Sequence, residues 1–171
     1  MRTALTIAGS DSGGGAGIQA DLRTFTAIGV YGTSAITAVT AQNTLGVTAV
    51  LALPPDLVVA QIDAVVADLG ADAVKIGMLA NAAIAAAVAD ALARHRLSPV
   101  VLDPVMVAKG GASLIDEAAV AVLRSRLFPL ATVVTANIPE AEALTGITVT
   151  DIAGARRAAS AMVGAGARAA I

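Results

Sequence analysis

The chain has 171 residues, of which 57% are hydrophobic and 14% are charged, and it carries a formal net charge of −2. A chain of this length normally forms one domain with a real core, so the composition excludes a disordered protein. The 11 Lys and Arg residues are scattered along the chain, which argues against nucleic acid as a partner. Cysteine is absent, as is ordinary in a cytoplasmic enzyme, and this excludes disulfides, thiolate catalysis and cysteine-based zinc sites.

Short β-rich segments alternate with longer Ala-rich segments along the chain. This alternation predicts an α/β fold with a mostly parallel central sheet flanked by helices. Thr3–Ala8 is the first predicted strand, and a Gly-rich loop from Gly9 to Gly17 follows it. The spacing of Ile18, Leu22 and Phe25 then predicts an amphipathic helix that ends near Gly29.

The uncharged run from Thr24 to Pro55 and the mean hydropathy of +0.80 raise the question of a membrane span. A spanning helix needs about 20 consecutive apolar residues. This run is instead interrupted by glycines and by Gln42 and Asn43. It predicts buried strands joined by turns, at Tyr31–Thr40 and Gly46–Ala52, and no membrane partner.

The remaining elements follow the same alternation, and nothing in the sequence marks a second domain or a repeat. We therefore expect residues 1–171 to form a single domain. The predicted elements are a helix from Pro54 to about Leu69, a strand at Ala73–Ile76, a helix capped by Asn81 that ends near His95, a strand at Pro99–Leu102, a helix from about Asp116 to Leu127, a strand at Ala131–Thr135, a short helix from Pro139, a helix from Asp151 to about Val163 and a final strand at Ala167–Ile171.

The Gly-rich loop joins a strand to a helix, where backbone N–H groups can receive an anion or a polar ligand. A dinucleotide-binding loop would need glycine where Ile18 stands, and no G-K-[ST] follows for a P-loop. Taken alone, the glycines favour a simple tight turn between strand and helix. Asp21 lies about 60° from Ile18 on the helical wheel, at the margin of the buried stripe, so its carboxylate needs a partner.

Five blocks in this order make the sequence similar to the hydroxymethylpyrimidine/phosphomethylpyrimidine kinase family. They are ALTIAGSDSGGGAGIQAD at Ala4 to Asp21, VTAQNT at Val39 to Thr44, KIGML at Lys75 to Leu79, VLDPVMVAKG at Val101 to Gly110, and ANIPEA at Ala136 to Ala141. The resemblance implies a ribokinase-like fold and ATP-dependent, Mg²⁺-dependent phosphorylation of 4-amino-5-hydroxymethyl-2-methylpyrimidine and its monophosphate, in thiamine biosynthesis.

The resemblance implies a pyrimidine pocket at the carboxyl ends of the strands, where open α/β sheets bind ligands. Asp21 and Gln42 resemble the pair that contacts the aminopyrimidine, since a carboxylate accepts from an amine and an amide both donates and accepts. Gly9, Met78 and Val105 resemble the rest of the pocket. Without the resemblance, the residues favour a satisfied buried amide for Gln42 and plain core filling for Met78.

An ATP and magnesium site is implied on the same edge of the sheet. Asp103 resembles the residue near the ATP phosphates, although an Asp before proline is also a common turn residue. Asn137 and Glu140 resemble the N-x-x-E pattern around the metal, with Glu140 acting through water, although a Glu there also suits a helix N-terminus. Lys109 is either a phosphate contact or a solvated loop residue.

Family members continue beyond this length through a loop that supplies the catalytic base and the anion hole. We therefore expect residues 1–171 to be an incomplete domain, truncated at its C-terminal side, with no catalytic base and little kinase activity alone. The resemblance also implies a homodimer for the full-length protein. Two alternatives stay open, which are a pyridoxal kinase of the same superfamily and a non-catalytic pyrimidine-binding module.

Overall fold

The computed structural model describes residues 1–106 and 117–171. Its strands are β1 (Thr3–Asp11), β2 (Tyr31–Asn43), β3 (Gly46–Ala52), β4 (Ala73–Ile76), β5 (Val100–Leu102) and β6 (Val133–Val134). Its helices are α1 (Gly17–Ala27), α2 (Pro55–Asp68), α3 (Ala82–His95), α4 (Glu117–Val122), α5 (Ile138–Thr145) and α6 (Ile152–Gly164). A π-helical turn at Leu123–Leu127 and a 3₁₀ turn at Phe128–Leu130 follow α4.

Within these ranges the strands form one sheet in the order β3-β2-β1-β4-β5-β6. All neighbouring strands run parallel except β3, which is antiparallel to β2. The prediction of a mostly parallel sheet flanked by helices is therefore confirmed. Because β1, β2, β4 and β5 run in the same direction, their carboxyl ends meet at one edge of the sheet.

Two differences from the predicted elements matter for the fold. β1 and β2 each extend three residues beyond the predicted ends, to Asp11 and Asn43, so the Gly-rich loop is shorter than expected. The predicted final strand at 167–171 forms only a single parallel bridge, between Ala170 and Val134. Backbone hydrogen bonds nevertheless join this segment to the chain around β6, with the Arg168 N–H donating to the Ala131 carbonyl and the Ala136 N–H donating to the Ile171 carbonyl, both at 3.1 Å.

Alternate residues of a strand point to opposite faces of the sheet, and a large part of the core lies on the face to which Leu5 and Ile7 point. Leu5 and Ile7 of β1 are fully buried there with residues of α2 and α3. On the opposite face α1 packs closely over β2, since a Cβ at Gly32 would lie 2.8 Å from Leu22 Cδ2. No helix in residues 1–106 or 117–171 is long and apolar enough to cross a membrane.

Candidate functional site

A cavity of about 380 Å³ opens at the carboxyl ends of β1, β2, β4 and β5. Pockets for small ligands typically measure about 300–1,000 Å³. The cavity therefore suits a ligand the size of one aromatic ring with short substituents. It is lined by Gly9, Ser10, Asp11, Gly13, Gly15, Ala16, Gly17, Thr40, Gln42, Asn43, Thr44, Met78 and Val105.

Four of the five predicted substrate contacts line this cavity: Gly9, Gln42, Met78 and Val105. Each lies near or just beyond the carboxyl end of a different parallel strand, so the topology brings together residues that are far apart in the sequence. Gly9 and Met78 lie in close contact, because a Cβ at Gly9 would lie 2.5 Å from Met78 Cε. Glycine at this position thus leaves room for the Met78 thioether along the cavity wall.

The backbone of Gln42 is held by residues of the Gly-rich loop. A bulge between Ala41 and Gln42 interrupts the pairing of β2 with β3. The Ser12 hydroxyl donates to the Gln42 carbonyl and accepts from the Gln42 N–H, both at 2.7 Å. Thr40 Oγ1 donates to the Ser10 carbonyl at 2.8 Å and lies 3.3 Å from Gln42 Oε1. These contacts tie the Gly-rich loop to β2 and place the Gln42 amide at the cavity.

The structure places Asp21 apart from the other four residues, outside the cavity lining. Its Oδ2 accepts hydrogen bonds from the Thr6 hydroxyl at 2.6 Å and from Lys75 Nζ at 3.2 Å. The expectation that this carboxylate has a partner is therefore confirmed. The partners are strand residues of β1 and β4 beneath α1, because Thr6 and Lys75 point to the face that α1 covers.

Lys75 also approaches the second predicted site, with its Nζ 3.7 Å from Asp103 Oδ2. Gly77 permits this path, since a Cβ there would lie 2.9 Å from Lys75 Nζ. Burial raises the pKa of Asp103, the Lys75 ammonium opposes that rise, and the nearby Asp21 charge adds to it. Lys75 thus balances two carboxylates, one on α1 and one after β5.

Glu140 and Asn137 form a capping box at the start of α5. The Asn137 Oδ1 accepts from the Glu140 N–H, and Glu140 Oε2 accepts from the Asn137 N–H, both at 3.0 Å. Glu140 is nevertheless buried, and burial raises its pKa, as does the charge of Asp103. The N-x-x-E spacing is also that of a capping box, so the sequence pattern alone does not separate the two roles.

The remaining predicted site residue, Lys109, lies outside the described residues. Within the described ranges no group of three or more His, Cys, Asp and Glu residues is arranged to hold a metal ion. Magnesium requires fewer protein ligands, since one or two carboxylates together with substrate phosphates and water suffice. Asp103 and Glu140, close enough for their charges to interact, fit that smaller donor set.

Several polar residues of the site were not predicted from the sequence, among them Asp11, Thr40 and Lys75. An Asp two residues before glycine is a signal for a side chain that bonds its own loop, so Asp11 was accessible to prediction. Thr40 and Lys75 gave no such signal. Lys75 stands in a buried strand, and its partner Asp21 lies 54 residues earlier in the chain.

Comparison with known proteins supports one family for this fold and cavity. The model of the family described as phosphomethylpyrimidine kinase matches residues 11–171. A hydroxymethylpyrimidine/phosphomethylpyrimidine kinase of Haemophilus influenzae is 56% identical over 168 residues, which are 98% of this chain and 62% of that protein. The chain spans between 34% and 62% of the length of the curated relatives that it matches.

Solved structures give the same result. The crystal structure of phosphomethylpyrimidine kinase from Clostridium difficile matches 98% of this chain and 72% of that one, with a TM-score of 0.91 and 46% identity. An ADP complex of Bacillus subtilis pyridoxal kinase matches 98% of this chain and 62% of that one, with a TM-score of 0.87 and 38% identity. Because the family model covers nearly the whole chain and these folds superimpose, the chain belongs to the phosphomethylpyrimidine kinase family.

Proposed function

We propose that this chain carries the pyrimidine site, and part of the ATP site, of a kinase that phosphorylates 4-amino-5-hydroxymethyl-2-methylpyrimidine and then its monophosphate. The observation that carries the proposal is the cavity at the carboxyl ends of four parallel strands, lined by Gly9, Gln42, Met78 and Val105. Open α/β sheets bind their ligands at this edge. The names of the curated relatives support the same activity.

The lining of the cavity suits the polarity of an aminopyrimidine. Met78 and Val105 offer apolar contact to a flat ring, and the Gln42 amide offers a donor and an acceptor to a ring nitrogen and its neighbouring amine. Asp21 was expected to contact the amine directly. Since Asp21 is paired with Thr6 and Lys75, we propose that it acts on the site through Lys75 instead.

ATP and Mg²⁺ are the cosubstrate and the ion that we propose for the adjacent carboxylates. Asp103 directly follows β5, two residues before the cavity residue Val105, and its charge acts on Glu140, so it lies between the pyrimidine pocket and Glu140. Asp103 and Glu140 would hold the ion, in part through water, and Asn137 would keep Glu140 in place. The ion supplies charge neutralisation for the transferring phosphate when it is bound.

A chimera tests the proposal without depending on any other part of the protein. Residues 1–171 replace the matching residues of the Haemophilus influenzae kinase, and ATP-dependent phosphorylation of hydroxymethylpyrimidine is measured. We expect turnover within about tenfold of the parent kinase, because the pocket residues come from this chain. A chimera that folds, binds ATP and leaves the pyrimidine unphosphorylated would refute the proposal.

Pyridoxal is the second candidate substrate, because the matched structures include pyridoxal kinases. The same chimera separates the two substrates when pyridoxal and hydroxymethylpyrimidine compete in one assay. We expect preference for the pyrimidine. A higher kcat/KM for pyridoxal would favour the second candidate. A non-catalytic pyrimidine-binding module would bind the pyrimidine and turn over neither.

We further propose that residues 1–171 belong to a single domain and that the protein forms a homodimer. The edge strand β3 supports the second point, because it exposes Val50 and Leu51 and carries no charged residue that would discourage pairing. Light scattering tests it, with Leu51→Lys as the variant expected to give monomers. The cytoplasmic location expected from the sequence stays a prediction.

A further inference from the structure

Among the described residues that line the cavity, Asp11 is the one charged residue, and only 5% of its surface is exposed. Its Oδ1 accepts from the Gly13 N–H at 2.8 Å, and its Oδ2 accepts from the Gly15 and Ala16 N–H groups, both at 2.9 Å. The Gly14 N–H donates to the Asp11 carbonyl at 2.9 Å. Four consecutive N–H groups of the Gly-rich loop therefore donate to this one residue.

Those N–H groups are the ones that a loop between a strand and a helix normally offers to a phosphate. Here an internal carboxylate occupies the position that a ligand anion would take. A carboxylate that accepts several N–H hydrogen bonds is strongly stabilised, so it does not yield its place readily. Its negative charge also opposes a second anion nearby.

Side chains of helix α1 also hold the Gly-rich loop in this conformation. The Asp11 N–H donates to Gln19 Oε1 at 2.8 Å, and Gln19 Nε2 donates to the Ser10 hydroxyl at 2.8 Å. Arg23 Nη1 donates to the Gly14 carbonyl at 2.6 Å. Helix α1 thus fixes the start and the middle of the loop before any ligand binds, which lowers the cost of ordering on binding.

We propose that Asp11 is a positioning residue that determines specificity. By filling the anion position of the loop, it makes this wall of the cavity accept a neutral ring and exclude a phosphate group. The identity of the ring rests on the proposed function. For that substrate, the consequence is that the hydroxymethyl or phosphomethyl arm points away from the loop.

Two ligands with opposite expectations test the proposal, with amide NMR as the readout. The probes are inorganic phosphate and hydroxymethylpyrimidine, titrated into the wild-type chain and Asp11→Ala. For the wild type we expect pyrimidine binding and no phosphate-induced shift of the Gly13, Gly15 and Ala16 amides. For Asp11→Ala we expect pyrimidine affinity to fall about tenfold or more, and phosphate to shift those amides at millimolar concentration. Formate, which fits the space of the missing carboxylate, should restore pyrimidine binding.

Asp151 provides the matched control, because its Oδ1 accepts from the Gly154 N–H at 2.6 Å at the start of α6, away from the cavity. Asp151→Ala should lose stability and change neither titration. A merely structural Asp11 would weaken pyrimidine binding in Asp11→Ala with no gain of phosphate and no rescue by formate, and that result overturns the proposal. Unchanged pyrimidine affinity in Asp11→Ala overturns it as well.

Two measurements keep the test decisive if Asp11→Ala does not fold. Asp11→Asn retains one acceptor oxygen, and it should show the same opposite changes on a smaller scale. Phosphate-induced shifts of the three loop amides in the wild type would by themselves contradict the proposal. If the wild type binds no pyrimidine, the proposed function fails, whereas the phosphate titrations of wild type and variant still decide the role of Asp11.

Discussion

Replacing Lys75 with methionine removes the positive charge that Asp21 and Asp103 share while keeping a chain of similar length. Nζ lies 3.2 Å from Asp21 Oδ2 and 3.7 Å from Asp103 Oδ2. The side chains of Lys75, Asp21 and Asp103 are 23%, 16% and 37% exposed. The cluster therefore lies between a buried ion pair and a surface one.

The expected cost follows from that intermediate burial. Removing one partner of a buried pair costs about 3–5 kcal/mol, and exposed pairs contribute about 0–1 kcal/mol. We expect Lys75→Met to lower the free energy of unfolding by about 2 kcal/mol, which is roughly a thirtyfold change in the ratio of folded to unfolded protein. Urea unfolding at pH 7 measures it, with Lys75→Arg expected to restore most of the loss.

The pH dependence gives a second check on the same variant. Burial already raises the pKa of Asp103, and loss of Lys75 removes the charge that opposes this rise. A folded state with a raised carboxyl pKa binds the proton more tightly than the unfolded state, so the variant regains stability as pH falls through that raised pKa. Arg2→Met, in an exposed surface pair with Asp72, is the control and should leave the free energy of unfolding nearly unchanged. A Lys75→Met loss no larger than that of the control would refute the reasoning.

Three further changes test the loop, the helix caps and a surface cluster. Gly17→Ala should lower the free energy of unfolding by about 2 kcal/mol or more and abolish pyrimidine binding, because Gly17 has φ +56° and a Cβ there would lie 2.2 Å from the Gly9 carbonyl oxygen. Gly29→Ala is the control, since Gly29 has φ +75° and open space around it, and it should cost only about 1 kcal/mol in the same urea assay. Asn137→Ala should lower the free energy of unfolding by about 1 kcal/mol through loss of the capping box, and a loss below that of Asn81→Ala at α3 would contradict the assigned geometry. His95 and Arg94 lower the pKa of Asp63 by hydrogen bonding, so Asp63→Asn should destabilise the chain at pH 7. The difference in stability between wild type and variant should disappear as pH falls below the ordinary pKa range of Asp. A difference between the two thermal midpoints that does not change with pH would contradict this prediction.

The elements could be predicted where local pattern decides them. β3 and β4 were predicted with the bounds that the structure shows, and Asn81 caps α3 as expected, with its Oδ1 accepting from the Ile84 N–H at 2.9 Å. The ends of β1 and β2 were not predicted. Both strands continue through irregular pairing, with register shifts after Ala8 and after Ala41, and such shifts depend on the neighbouring strand.

The site residues, like the elements, could be predicted only in part. Gly9, Gln42, Met78 and Val105 were placed together because the family resemblance and the strand order bring them to one edge. Asp21 was expected at the pyrimidine, whereas it pairs with Lys75. The spacing within α1 indicates that Asp21 lies near the buried face and needs a partner, but it carries no information about which strand residue faces it across the sheet.

Calorimetric titration of the chain with 4-amino-5-hydroxymethyl-2-methylpyrimidine tests the central claim most directly. We expect one site per chain and a loss of affinity of about tenfold in Gln42→Leu, since that change removes the amide at the cavity. Gln61→Leu is the matched control, because the Gln61 amide bonds the Ile36 backbone outside the cavity, and its affinity should equal that of the wild type. Absence of pyrimidine binding by the folded wild type, or equal affinity in the Gln42 variant, would contradict the account.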